Sequence, residues 1–113
     1  MTQTSYYFIG IGGIGMSALA KIAHEKGLCV SGSDARASSI TDSLQDTGIE
    51  VQIGHGGSLL TKQATVVYSS GISEENPEKL RALSLGCRML HRSEMLKEMM
   101  KGSLPLLVSG THG

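Results

Sequence analysis

The feature that most constrains this chain is Gly10-Ile11-Gly12-Gly13-Ile14-Gly15, which directly follows the apolar stretch Tyr6-Tyr7-Phe8-Ile9 and precedes a helix-like run from Met16 to Lys26. A strand, a glycine turn and a helix in that order make a dinucleotide-type phosphate site of what is otherwise a bare G-x-G-x-x-G pattern. Each glycine has an expected task. Gly10 turns the chain off the strand, Gly12 lets backbone approach a pyrophosphate, and Gly15 lets the helix pack close to the strand. The first N–H groups of the helix then point at the phosphates. Asp34 closes the next strand-like stretch, Leu28 to Ser33, 19 positions after Gly15. That is about where a carboxylate for ribose hydroxyls falls, and it would repel a 2′-phosphate.

The remaining chain keeps a strand-helix rhythm. Met16, Leu19, Ala20 and Ala23 recur at helical spacing, and Gly27 ends that helix. Ser39 is the expected cap of a second helix carrying Ile40 and Leu44, stopped by Gly48. Ile49-Glu50-Val51-Gln52-Ile53 alternates as a half-exposed strand near a sheet edge, before the glycine cluster Gly54-His55-Gly56-Gly57. Thr65-Val66-Val67-Tyr68 reads as a buried strand ending in Ser69-Ser70-Gly71-Ile72. Asn76-Pro77-Glu78 starts a helix whose Leu80 and Leu83 are expected to face the sheet. Cys87 to Leu90 makes a short strand, and Ser93 opens a last helix with Met95, Leu96, Met99 and Met100 on one core-filling stripe.

This rhythm predicts an α/β fold, a doubly wound and mostly parallel sheet of about five strands in the order 3-2-1-4-5. The loops after strands one and four then line one crevice at the switch point, which makes Ser69, Ser70 and Gly71 candidates alongside the glycines. Fifteen glycines against two prolines suit many short turns. Ten basic and ten acidic residues cancel without any block of like charge, which excludes a nucleic-acid stripe or an anionic membrane surface. Cys29 and Cys87 lack metal or redox spacing and read as reduced, partly buried thiols, so no metal site is expected. With no signal peptide or membrane span in the sequence, the expected location is cytoplasmic. His24 and His91 read as structural, and Arg36 as solvated. His55 reads either as a ligand contact or as a loop residue between glycines.

Leu104 to Ser109 reads as a sixth strand, and Gly110-Thr111-His112-Gly113 as the opening of a second phosphate loop that lacks its Lys and Ser/Thr. At this point the chain resembles the Mur ligases. The resemblance rests on Gly10 to Ser17, Val30 to Asp34, Gly54-His55, Ser69 to Ile72 with Asn76-Pro77-Glu78, Arg92 to Leu96, and the terminal Gly110 to Gly113. Gly71 and Ser93 depart from the family pattern, where alanine is common. The resemblance implies a Rossmann-like UDP-sugar-binding domain over 1–103, the first of three domains, with 104–113 as the start of the central ATP-binding domain.

It further implies, for the parent enzyme, the branch that joins L-alanine to UDP-N-acetylmuramate. ATP with Mg²⁺ phosphorylates the lactyl carboxylate, and the alanine amine displaces phosphate from the acyl phosphate. No catalytic residue and no cofactor is expected in this stretch itself. The substrate-binding set implied is Gly10, Gly12, Gly13, Ile14, Gly15, Met16, Ser17, Asp34, His55, Ser69, Ser70 and Gly71, with Gly110, Thr111, His112 and Gly113 in the ATP loop. The alternative is an NAD-binding regulatory or dehydrogenase domain, which the glycine loop and Asp34 support equally well.

Overall fold

The computed structural model describes residues 5–54 and 60–101. The elements run β1 (Ser5–Ile9), α1 (Ile14–Glu25), β2 (Cys29–Asp34), α2 (Ser39–Asp46), β3 (Glu50–Ile53), β4 (Ala64–Tyr68), α3 (Pro77–Leu85), β5 (Arg88–His91) and α4 (Arg92–Met100). Among these residues the five strands form one parallel sheet in the order β3-β2-β1-β4-β5, as the strand-helix rhythm predicts. The sheet positions the site because its order reverses between β1 and β4, leaving a crevice at their carboxyl ends.

Alternation along β1 divides the core. Tyr6 and Phe8 point into one layer with Met16, Leu19, Ala20 and Ala23 of α1, Leu44 of α2 and Met95 of α4. Tyr7 and Ile9 point into the other, with Val66 of β4, Ala82 of α3 and Cys87. Burying both faces of the central strand makes its run continuously apolar, whereas edge strand β3 keeps an exposed or half-exposed pattern.

Several sequence expectations are corrected in detail. The α2 cap is Ser38, one residue earlier than Ser39, because Ser38 and Thr41 form a reciprocal capping box. Helix α4 opens at Arg92 rather than Ser93. His91 is its cap, with Nδ1 accepting from the Ser93 N–H at 3.1 Å and the Glu94 carboxylate accepting from the His91 N–H at 2.8 Å. Leu80 and Leu83 do not face the sheet: they are 50% and 53% exposed, while Glu78, Lys79 and Ala82 are buried. Polar Glu78 takes the inward position because Tyr7 and Ser33 hydroxyls receive it there. On α4 only Met95 and Met99 turn inward, and Leu96 and Met100 stay exposed. Cys29, at the open start of β2, is exposed, whereas Cys87 is buried and its thiol pKa is raised by that burial. Among the described residues no helix is long and apolar enough to cross a membrane.

Candidate functional site

The site begins where β1 ends. Gly10 has φ +77°, a left-handed conformation that glycine adopts without penalty. Its N–H and that of Ile11 both donate to the Ser33 carbonyl, at 2.9 and 2.8 Å, and the Gly13 N–H donates back to the Gly10 carbonyl at 3.1 Å. Ile11 is fully buried and pins the loop to the core. Helix α1 then starts with Gly13 as N-cap and no side chain capping it. Its leading amides therefore face outward as donors for an anion.

Asp34 lies beside this loop. Its Oδ2 accepts from the Gly12 N–H at 2.8 Å and its Oδ1 from the Arg36 N–H at 3.3 Å. A carboxylate has about four lone-pair positions, so it can also accept hydroxyls from its half-exposed side. Gly12 carries no side chain for a local reason: a Cβ there would stand 2.7 Å from Asp34 Oδ2 and 3.0 Å from Thr41 Cγ2. The expected task of Gly15 is corrected too. A Cβ on Gly15 would meet Arg92 atoms at 3.5 to 3.8 Å, not the strand. The close approach falls at Gly32 of β2, where a Cβ would lie 2.5 Å from the Phe8 carbonyl oxygen and 2.8 Å from Ile11 Cδ1. A glycine inside a strand is a signal for such contact.

Across the switch point, the loop after β4 packs against the first. Ile72 Cδ1 sits 3.5 Å from the Cβ position of Gly10, and the Ile72 N–H closes a turn onto the Ser69 carbonyl at 3.1 Å. Between the loops is an open cleft of about 390 Å³ lined by Gly13, Gly15, Met16, Ser69 and Arg92, within the range of small-ligand sites. Arg92 lines this cleft although the sequence analysis did not single it out as a candidate. Its place directly after a strand's carboxyl end, on the ligand side of a parallel sheet, was the available signal.

The other expected residues divide. Ser17 is turned inward, its hydroxyl donating to the Ile14 carbonyl at 3.0 Å, and Ile14 itself is largely exposed. Ser70 Oγ lies 3.0 Å from His91 Nε2. Because Nδ1 accepts from the Ser93 N–H, a neutral His91 ring carries its proton on Nε2 and donates it to Ser70. His91 thus ties the Ser70 turn to the start of α4, next to Arg92, while Tyr68 meets its ring edge-on at 5.4 Å between centroids. His24 Nε2 lies 2.9 Å from the Thr47 carbonyl, joining the ends of α1 and α2, so it is structural. Gly71 is exposed in the turn. His55 and Gly110, Thr111, His112 and Gly113 lie outside the described residues.

Fold and cleft together define the class: a doubly wound α/β domain with an anion-receptive glycine loop at its switch point. The family model described as "Mur ligase family, catalytic domain" matches residues 5–103, and the chain belongs to the Mur ligase family. It is 49% identical over 108 residues to the UDP-N-acetylmuramate--L-alanine ligase of Streptomyces coelicolor, covering 95% of this chain and 23% of that one. It is 44% identical over 113 residues to the bifunctional enzyme MurC/Ddl of Chlamydia trachomatis, covering 100% of this chain and 14% of that protein. The crystal structure of UDP-N-acetylmuramate-alanine ligase MurC from Thermotoga maritima superposes with a TM-score of 0.82 at 28% identity, over 88% of this chain and 23% of that one. The chain therefore spans less than a quarter of the length of these relatives.

Proposed function

We propose that this chain is the UDP-N-acetylmuramate-binding domain of an ATP-dependent ligase that adds L-alanine to that substrate in peptidoglycan synthesis. The observation that carries the reading is the cleft at the switch point, where the uncapped start of α1 and the Arg92 side chain converge. Backbone N–H groups plus a guanidinium suit a diphosphate, which offers oxygens to both. Asp34 takes the ribose hydroxyls, and Ser69 with the Ser70 turn takes the sugar side of the diphosphate. The names of the relatives support the choice of sugar nucleotide, and the cleft beside the start of α1 supports a charged centre there. ATP, Mg²⁺ and L-alanine act in the parent enzyme through residues other than those described, with Gly110 to Gly113 in the ATP loop, and 1–103 forms the sugar-nucleotide domain. On this reading the described residues bind and orient the substrate and do not themselves carry the acyl-phosphate chemistry.

A thermal-shift titration with UDP-N-acetylmuramate, UDP and NAD in parallel tests this. A ligand at about a hundred times its Kd adds roughly 2.7 kcal/mol, several degrees for a domain of this size. Stabilisation by both uridine compounds and not by NAD is expected. Stabilisation by NAD alone would move the domain to the dehydrogenase class.

A further inference from the structure

A carboxylate sits where an apolar residue would serve packing better. Glu78, in the first turn of α3, is 1% exposed and faces the underside of the sheet. It accepts the Tyr7 hydroxyl on Oε2 at 2.5 Å and the hydroxyl of fully buried Ser33 on Oε1. Burial, with the bond to Glu78 next, raises the Tyr7 phenol above its ordinary pKa. Buried ionisable groups are costly, and well-packed apolar replacements are often neutral or stabilising. What such a group adds is a fixed geometry.

The fixed geometry leads to the glycine loop. The Ser33 carbonyl receives the N–H groups of Gly10 and Ile11, and the adjacent Asp34 receives that of Gly12. Three consecutive loop amides are therefore held by two consecutive residues of β2, and Glu78 holds the side chain of the first. At its other end Glu78 belongs to the opposite wall of the crevice. Asn76 Oδ1 accepts the Glu78 and Lys79 N–H groups at 2.9 and 3.1 Å, fixing the start of α3 just beyond the Ser69 to Ile72 turn. A short chain of hydrogen bonds and backbone thus joins both walls through one carboxylate.

We propose that Glu78 is a positioning residue, which holds the glycine loop in its ligand-receiving shape through Ser33 and sets its spacing from the loop after β4. The inference rests on the reading of that loop as the ligand site, yet its test does not need a ligand. Amide hydrogen exchange is measured by NMR on the ligand-free 113-residue chain and on its Glu78→Gln, Ser33→Ala and Tyr7→Phe variants. Losing a charge-assisted bond that orders the loop should speed exchange at Gly10 and Ile11 about tenfold in Glu78→Gln and Ser33→Ala, relative to Val66 and Val67 in the same sample. Tyr7→Phe, which leaves the Ser33 bond in place, should move those two amides much less. Exchange rising in step at the loop and at Val66 and Val67, or equally in Tyr7→Phe and Ser33→Ala, would make Glu78 a plain anchor of α3 and overturn the proposal. Should Glu78→Gln fail to fold, Ser33→Ala and Tyr7→Phe decide the matter. UDP titration of the unsubstituted chain tests the ligand reading separately, since failure there leaves the exchange result standing.

Discussion

Two glycine-to-alanine substitutions, at Gly12 and Gly32, separate the site from the fold. Neither residue has positive φ, so an alanine is not strained by its backbone and only its surroundings matter. At Gly12 the new methyl meets the end of Asp34 at 2.7 Å. That side chain can swing toward solvent, which breaks its 2.8 Å bond to the Gly12 N–H. A hydrogen bond to a charged group contributes about 1.5–3 kcal/mol. Re-solvation of half-exposed Asp34 offsets part of it, so Gly12→Ala should cost about 1–2 kcal/mol. At Gly32 the methyl meets the Phe8 carbonyl oxygen at 2.5 Å and Ile11 Cδ1 at 2.8 Å. Phe8 is paired with Gly32 in the β1–β2 ladder and with Val67 in the β1–β4 ladder, so its carbonyl cannot retreat without disturbing the central strand. Overpacking of that kind costs about 3 kcal/mol or more. Urea unfolding reads both values, and UDP titration reads the site. Gly12→Ala should stay folded and lose UDP affinity, and Gly32→Ala should lose stability first. A Gly32→Ala cost under about 1 kcal/mol, or one smaller than that of Gly12→Ala, would refute the close-approach reasoning.

Arg92→Ala should weaken UDP at least tenfold with little change in unfolding midpoint, and Arg92→Lys should recover only part, since a point charge replaces a planar fork; calorimetric titration checks both. Tyr7 carries a pH dependence whose sign follows from its raised pKa. Its contribution is complete below the unfolded tyrosine pKa of about 10 and is lost as pH climbs above that toward the folded value. Over that range the native state keeps a proton the unfolded state has shed, so stability should fall by up to about 1.4 kcal/mol per pH unit, and Tyr7→Phe should remove that part of the slope in urea melts. Leu80→Lys, on the exposed face of α3, should change stability by no more than about 0.5 kcal/mol, whereas Met95→Ala, fully buried in α4, should cost about 2–5 kcal/mol; the same unfolding assay compares them.

Much of this was legible in the residues because period and punctuation carry it. Met16, Leu19, Ala20 and Ala23 are all buried as helical spacing requires, and glycines at strand ends gave the rhythm from which the sheet order follows. Of the candidate residues, Gly13, Gly15, Met16 and Ser69 line one cleft at the switch point. What was not legible depends on partners far along the chain. Leu80 and Leu83 carry the apolar signal of α3, yet Glu78 takes the sheet because two hydroxyls await it from residues 71 and 45 positions away. Hydropathy cannot see such a pairing. The close approach expected of Gly15 falls to Gly32 for a similar reason: the motif names a role by position, while the nearest atoms decide it. Arg92 needed the tertiary arrangement that brings the start of α4 over Gly15.

On the proposed reading, a uridine diphosphate sits on the start of α1 between Gly13 and Arg92. Amide and Arg92 side-chain NMR shifts, followed as UDP-N-acetylmuramate is added to the isotope-labelled chain, test it most directly. The largest shifts are expected at Gly12, Gly13, Gly15, Ser69 and the Arg92 guanidinium, saturating together with one Kd. Shifts confined to another surface, such as the smaller cleft lined by Lys21, His24, Glu25 and Thr47, with the glycine loop silent at saturation, would contradict it.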